Sequence, residues 1–153
     1  MILSLTSPAF SHGQPIPVRY SCQGQDLSPE FNWGDPPEGT LSLALIVDDP
    51  DAPNGNWVHW VLYNLPGQCR GLPEGVPAVP QGPDGSQQGK NSWQKWGYGG
   101  PCPPAGTHRY FFKLYALDTT LSLKQGVTKE QLLKAMQGHV LAHVELMGTY
   151  HKR

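Results

Sequence analysis

Glycine and proline interrupt this chain so often that long helices have little room to form. It carries 18 Gly and 16 Pro, about 22% of its 153 residues against about 12% in ordinary usage. Proline removes a backbone donor and glycine weakens a helix interior, so the chain should consist of short elements joined by many turns. A hydrophobic content of 38%, with five Trp and six Tyr, suffices for a core, and 15% charged residues is too few for general disorder. One globular domain spanning residues 1–153 is the expectation.

Between the interruptions, three apolar runs read as strands. Leu41 to Val47 is aliphatic and closed by Asp48-Asp-Pro50, Trp57 to Leu65 is aromatic and β-branched, and Tyr110 to Ala116 is the third. Weaker candidates are Ile2 to Leu5, Val18 to Ser21 and Glu30 to Trp33. One helix is predicted from Lys129 to Gln137, because Thr128 and Gln131 form a capping box and Gly138 stands at the C-cap. After it, Val144, Leu146 and Gly148 suggest a last strand. Pro66 to Lys90 reads as a long loop, since 11 of its 25 residues are Gly or Pro. The class is therefore mainly β, with antiparallel pairing dominant and one late helix.

Charge and motifs narrow the function. Eleven Lys and Arg against 12 Asp and Glu leave a net charge of −1 and no basic stripe, so nucleic acid is not an expected partner. No apolar run approaches the roughly 20 residues of a transmembrane helix. The N-terminus lacks the basic and apolar regions of a secretory signal, so a cytoplasmic location is expected. Cys22, Cys69 and Cys102 form no CxxC pair and are odd in number, so free thiols are expected. His139 and His143 lack the glutamate of an HExxH motif and would stand about 13 Å apart in a strand. No GxSxG elbow, Walker A loop or dinucleotide fingerprint occurs, and neither a cofactor nor a metal is expected.

Three polar segments nevertheless interrupt the apolar runs. Asp48-Asp-Pro-Asp-Ala-Pro53 places three carboxylates within four positions, which is costly unless they are solvated or hydrogen-bonded. His59 stands inside an aromatic strand, where strict alternation sets it on one face with Trp57 and Val61. It reads either as a half-buried structural histidine or as an imidazole facing a pocket, held in one tautomer by Asp49 or Asp51. Gly99-Gly-Pro-Cys-Pro-Pro-Ala-Gly-Thr-His-Arg-Tyr110 sets His108 at a strand entrance, a position where pockets form. A cis peptide is expected before at least one proline of these two Pro-rich segments.

Taken together, Asp49-Pro-Asp-Ala-Pro53, His59 and the segment ending in Thr107-His-Arg-Tyr110 resemble the signature of the phosphatidylethanolamine-binding protein family, in particular its bacterial and archaeal branch of Raf kinase inhibitor-like proteins. The resemblance runs from about Phe10 to Gly148-Thr-Tyr150, through Ser28-Pro-Glu-Phe-Asn-Trp33 and Leu43 to Asp49. It implies a large central, antiparallel-dominated sheet, a smaller second sheet and a short C-terminal helix. It also implies an anion pocket lined by Asp49, His59, Pro103, Pro104, His108 and Tyr110, with Asp51 and Arg109 in support. The segment Asn91-Ser-Trp-Gln-Lys-Trp-Gly97 departs from the Asn-Asp-Phe-Gly that the family places before Tyr98.

The function so implied is non-enzymatic binding of a small anion, namely phosphate, carboxylate or a phosphorylated group, with modulation of a protein partner and homodimerisation as further expectations. The alternative is a protease or kinase inhibitor that acts through surface loops such as Pro66 to Lys90. Enzymatic acid–base chemistry by His59, His108 and Asp49 ranks below both, because no nucleophile or metal set stands beside them in the sequence.

Overall fold

The Leu43–Val47 run is apolar at every position, as a strand must be when both of its faces are covered. In the computed structural model, which describes residues 3–152, it forms the middle of β3 (Ser42–Asp49), all eight residues of which are buried. The other strands are β1 (Leu5–Thr6), β2 (Phe31–Trp33), β4 (Trp57–Pro66), β5 (Gly71–Leu72), β6 (Gln87–Gln88), β7 (Thr107–Leu117) and β8 (Val140–His151). They form a five-stranded sheet in the order β6-β4-β3-β7-β8 and a three-stranded sheet β1-β2-β5, with every named pairing antiparallel.

Alternation along the long strands sends residues to two different cores. Leu43, Leu45 and Val47 join Tyr110, Phe112 and Leu114 against the small sheet, where Phe31 and Trp33 meet them. Phe112 packs at 5.1 Å from Phe31 and 5.6 Å from Phe10. Truncating such a ring to Ala would cost about 3–5 kcal/mol. Ala44, Ile46, Val58, Val61 and Tyr63 face the other way, onto helix α1 (Lys129–Met136) through Leu132 and Met136. Thr128 and Gln131 make the reciprocal cap, Gly138 ends the helix at φ +81°, and Lys129 ties its first turn to the buried Asp48 at 2.6 Å.

Several expectations are corrected. Val18 to Ser21 is not a strand: after Pro17 the amides of Tyr20 and Ser21 close onto Pro17 and Val18, making a 3-10 turn at Val18–Tyr20. Within the weak N-terminal candidate, pairing begins only at Leu5, and Ile2 lies outside the described residues. Pro66 to Lys90 is not structureless, since β5 and β6 within it extend both sheets. Cys22 and Cys102 are joined in a disulfide, leaving Cys69 as the free thiol among the described residues. The fold lays the turn after Ser21 along Pro101, with the Cys22 amide bonded to the Pro101 carbonyl, so residues 80 apart become neighbours. No peptide bond among the described residues is cis, so the prolines of both polar segments follow trans bonds.

Candidate functional site

β3, β4 and β7 lie side by side, so the end of β3 and the starts of β4 and β7 share one rim of the large sheet. Strand β3 delivers Asp49 there, β4 delivers Trp57 and His59, and β7 delivers His108 and Tyr110. The 101–106 turn adds Pro103 and Pro104. All of these line one cavity of about 260 Å³, closed further by Trp93 and Cys102.

His59 reaches this cavity through an irregularity. Asp48 pairs with Val58 and Val47 with Trp60, which leaves His59 as an extra residue in β4. Such a bulge turns the following residues over. His59 and Trp60 therefore share the face of the first core, and Val61 packs on the opposite face rather than beside His59.

The two histidines are held by different partners. His108 donates from Nδ1 to Asp49 Oδ2 at 2.7 Å, while Asp49 Oδ1 accepts the Asp51 amide at 2.8 Å. His59 is not held by Asp49 or Asp51. Its Nδ1 donates to the Gly99 carbonyl at 2.7 Å, and the Gly99 amide returns a 2.9 Å bond to the His59 carbonyl. Burial holds the His59 imidazole below its ordinary value, overriding the upward pull of the Gly99 carbonyl and of Asp49, Asp48 and Asp26. Neither Nε2 has a hydrogen-bond partner among the described residues, and both rings line the cavity.

Tyr110 stands between them, its ring centroid 5.1 Å from His59 and 6.5 Å from His108. Burial, reinforced by the charge of Asp49, pushes its phenol well up, so the hydroxyl keeps its proton. Asp51 and Arg109 stand outside the lining and bind each other through three contacts of 2.9 Å, one of them from the Arg109 amide. The guanidinium brings the Asp51 carboxyl down to about 2, with the Arg109 amide and nearby charges adding to it against desolvation. This pair fastens the 49–54 turn to the start of β7 beside His108.

Sequence reasoning missed Trp57, Trp93 and Cys102 as lining residues. Trp93 packs edge-on against both Trp57 and His59, at 5.5 and 5.0 Å. The signal for it was the departure of Asn91 to Gly97 from the family pattern, since an unusual segment next to a shared motif marks a locally different wall. His139 and His143 form no joint site: one binds Asp118 at 2.8 Å and the other stacks on Tyr115. No helix among the described residues is long and apolar enough to cross a membrane.

Comparisons with known proteins agree over nearly the whole length. A protein of Methanothermobacter thermautotrophicus, described as a UPF0098 protein, is 51% identical over 150 residues, covering 98% of this chain and 99% of that one. A UPF0098 protein of Chlamydia trachomatis is 50% identical over 155 residues, covering 98% and 99%. Among solved structures, a homologue of phosphatidylethanolamine-binding protein from Chlamydia trachomatis superposes with a TM-score of 0.91 at 49% identity, covering 99% of this chain and 98% of that one. Escherichia coli YbcL, described as a member of the mammalian family, superposes with a TM-score of 0.90 at 30% identity, covering 99% of each. The family model for phosphatidylethanolamine-binding protein matches residues 6–151, and the chain belongs to that family.

Proposed function

We propose that this chain is a non-enzymatic binding protein whose cavity, at the rim shared by β3, β4 and β7, receives a small oxyanion or a phosphorylated group. The observation that carries the reading is the pair of imidazoles, His59 and His108, that line one cavity with Nδ1 bonded to the protein and Nε2 without a partner among the described residues. Unpaired polar atoms in a largely buried setting are costly unless a ligand or water completes them. Asp49 sits behind His108, bonded to Nδ1 where it orients the ring, so its charge need not oppose an anion that meets Nε2.

The lining offers neither a thiolate nor an aliphatic hydroxyl as nucleophile. Its cysteine, Cys102, is tied up in the disulfide and offers no thiolate, and no serine or threonine lines the cavity. Binding therefore fits the residues better than turnover.

Titration with phosphate, followed by NMR of the six histidines, tests the reading. The His59 and His108 ring signals should move together and saturate, and His108→Ala should weaken binding by about one to two decades. Shifts confined to His12, His139, His143 and His151 would overturn it.

A further inference from the structure

The partner of His59 decides which oxyanions this cavity can accept. The Gly99 carbonyl has no proton to give, so the hydrogen in its 2.7 Å contact belongs to His59 Nδ1. In the neutral ring, Nε2 is then a bare acceptor, on a ring that lines the cavity. Making it a donor would require an imidazolium at a residue only 3% exposed, wedged edge-on between Trp93 at 5.0 Å and Tyr110 at 5.1 Å. The titratable groups around it are Asp48 and Asp49 at the end of β3, His108 and Tyr110 on β7, and Asp26, which accepts the Gly100 amide behind the 99–100 backbone. None of them hydrogen-bonds the His59 ring. Burial outweighs the pull of the carboxylates and disfavours a second proton on the ring.

His108 differs. Its Nδ1 proton goes to Asp49, and a second proton on Nε2 would be offset by that carboxylate. The cavity therefore sets an imidazole backed by a neutral carbonyl opposite one backed by a carboxylate, and a proton on His108 Nε2 makes that atom a charge-assisted donor.

We propose that His59 makes the cavity selective for oxyanions that still carry a hydroxyl, namely hydrogen phosphate or the monoanion of a phosphomonoester. The P–OH donates to His59 Nε2, and an unprotonated oxygen accepts from His108 Nε2–H. Sulfate has the shape and charge of hydrogen phosphate but lacks the proton, so it would set an oxygen lone pair against the His59 lone pair. The inference rests on the oxyanion reading above and specifies its ligand.

Calorimetry on the full chain with inorganic phosphate and with sulfate, at neutral pH and matched ionic strength, compares two ions differing mainly in one proton. Phosphate should bind at least about tenfold more tightly, the scale expected for an unpaired buried acceptor. Methyl phosphate separates the two ligand sources. Its second ionisation, near about pH 6, removes the last hydroxyl, whereas inorganic phosphate keeps one. Between about pH 5 and about pH 8 the affinity for methyl phosphate should fall about tenfold further than that for phosphate, which also corrects for any loss of the His108 proton. Nitrogen NMR should find His59 Nε2 unprotonated in both the free and the phosphate-bound protein, a readout that needs no variant. Sulfate binding as tightly as phosphate, or a protonated Nε2 in the complex, would overturn the selectivity and leave the oxyanion pocket standing. Failure of both ions to bind would overturn the two together.

Discussion

His108 and Asp49, 59 residues apart, are joined by a 2.7 Å hydrogen bond in which the carboxylate is 4% exposed and the imidazole 10%. So close a pair, nearly out of water, is oriented far more rigidly than an exposed ion pair. Replacing Asp49 with Asn removes the charge that offsets a proton on His108. Phosphate affinity at pH 6 should fall by about tenfold or more, since a charge-assisted hydrogen bond is lost behind the donor. An unchanged isotherm would show that the pair serves the fold alone.

The disulfide should be visible as chemistry. Alkylation of the denatured, unreduced protein should label Cys69 alone, and reduction should expose Cys22 and Cys102 as well. The bridge closes a long loop of sequence separation 80. Replacing both cysteines with Ser should cost up to about 4 kcal/mol in urea unfolding, by the loss of the constraint on the unfolded chain. Phosphate binding should also weaken, because Cys102 lines the cavity and leads directly into Pro103 and Pro104 of its wall.

What could be read from the sequence divides along physical lines. The long strands and the helix were readable because burial imposes a local pattern: the Leu43–Val47 middle of β3 is apolar at every position, and Thr128 with Gln131 marks a helix start whatever surrounds it. The site motifs were readable through the family resemblance, which kept Asp49, His59 and His108 in the right order without saying which groups pair. The bulge at His59 depends on the register of β3 against β4, a non-local property that alternation within one strand cannot report. That is why Val61 was assigned to the wrong face. The Cys22–Cys102 bond and the Gly99 contact to His59 are likewise made by segments that meet only after the sheets assemble.

His59 also gives stability a pH dependence of definite sign. Its value is lowered in the folded protein, by burial first, from the 6.5 of a free histidine. The unfolded chain therefore takes up a proton that the folded one refuses, and stability is fully present above 6.5 and declines as pH falls below it. The decline approaches at most about 1.4 kcal/mol per pH unit while the two states differ by one proton. Asp51 acts in a separate, more acidic window. Its contribution is present above 3.8 and is lost on descending toward about 2, and its partly exposed pairing with Arg109 is worth no more than about 1 kcal/mol. Urea unfolding from pH 7.5 to 5 should thus show a slope that His59→Gln flattens. An equal slope in the variant would mean that the wild-type ring protonates freely in the folded state.

Gly99 and Trp93 supply a test of the cavity wall. A Cβ on Gly99 would fall 2.3 Å from the Trp93 ring, and the three nearest atoms it would meet all belong to that indole. Backbone strain is not the obstacle, because Gly99 is absent from the positive-φ positions of the chain. Gly99→Ala should therefore push the indole off His59 and Trp57, at a cost of about 1–3 kcal/mol in stability. Trp93→Ala alone should cost less, since the ring is 37% exposed. In the double variant the clash has no partner, so the combined loss should be smaller than the sum of the single losses, with a coupling of about 1 kcal/mol or more. Urea unfolding of the four proteins measures the coupling, and the tyrosine and tryptophan near-ultraviolet circular dichroism reports whether the indole has moved. Strict additivity would show that Gly99 is required by its backbone contacts with His59 and that Trp93 is a passive neighbour. A coupled pair would show that the Trp93 indole packs directly over Gly99, so that the backbone bonded to His59 Nδ1 and the ring edge-on to that imidazole form one wall of the cavity.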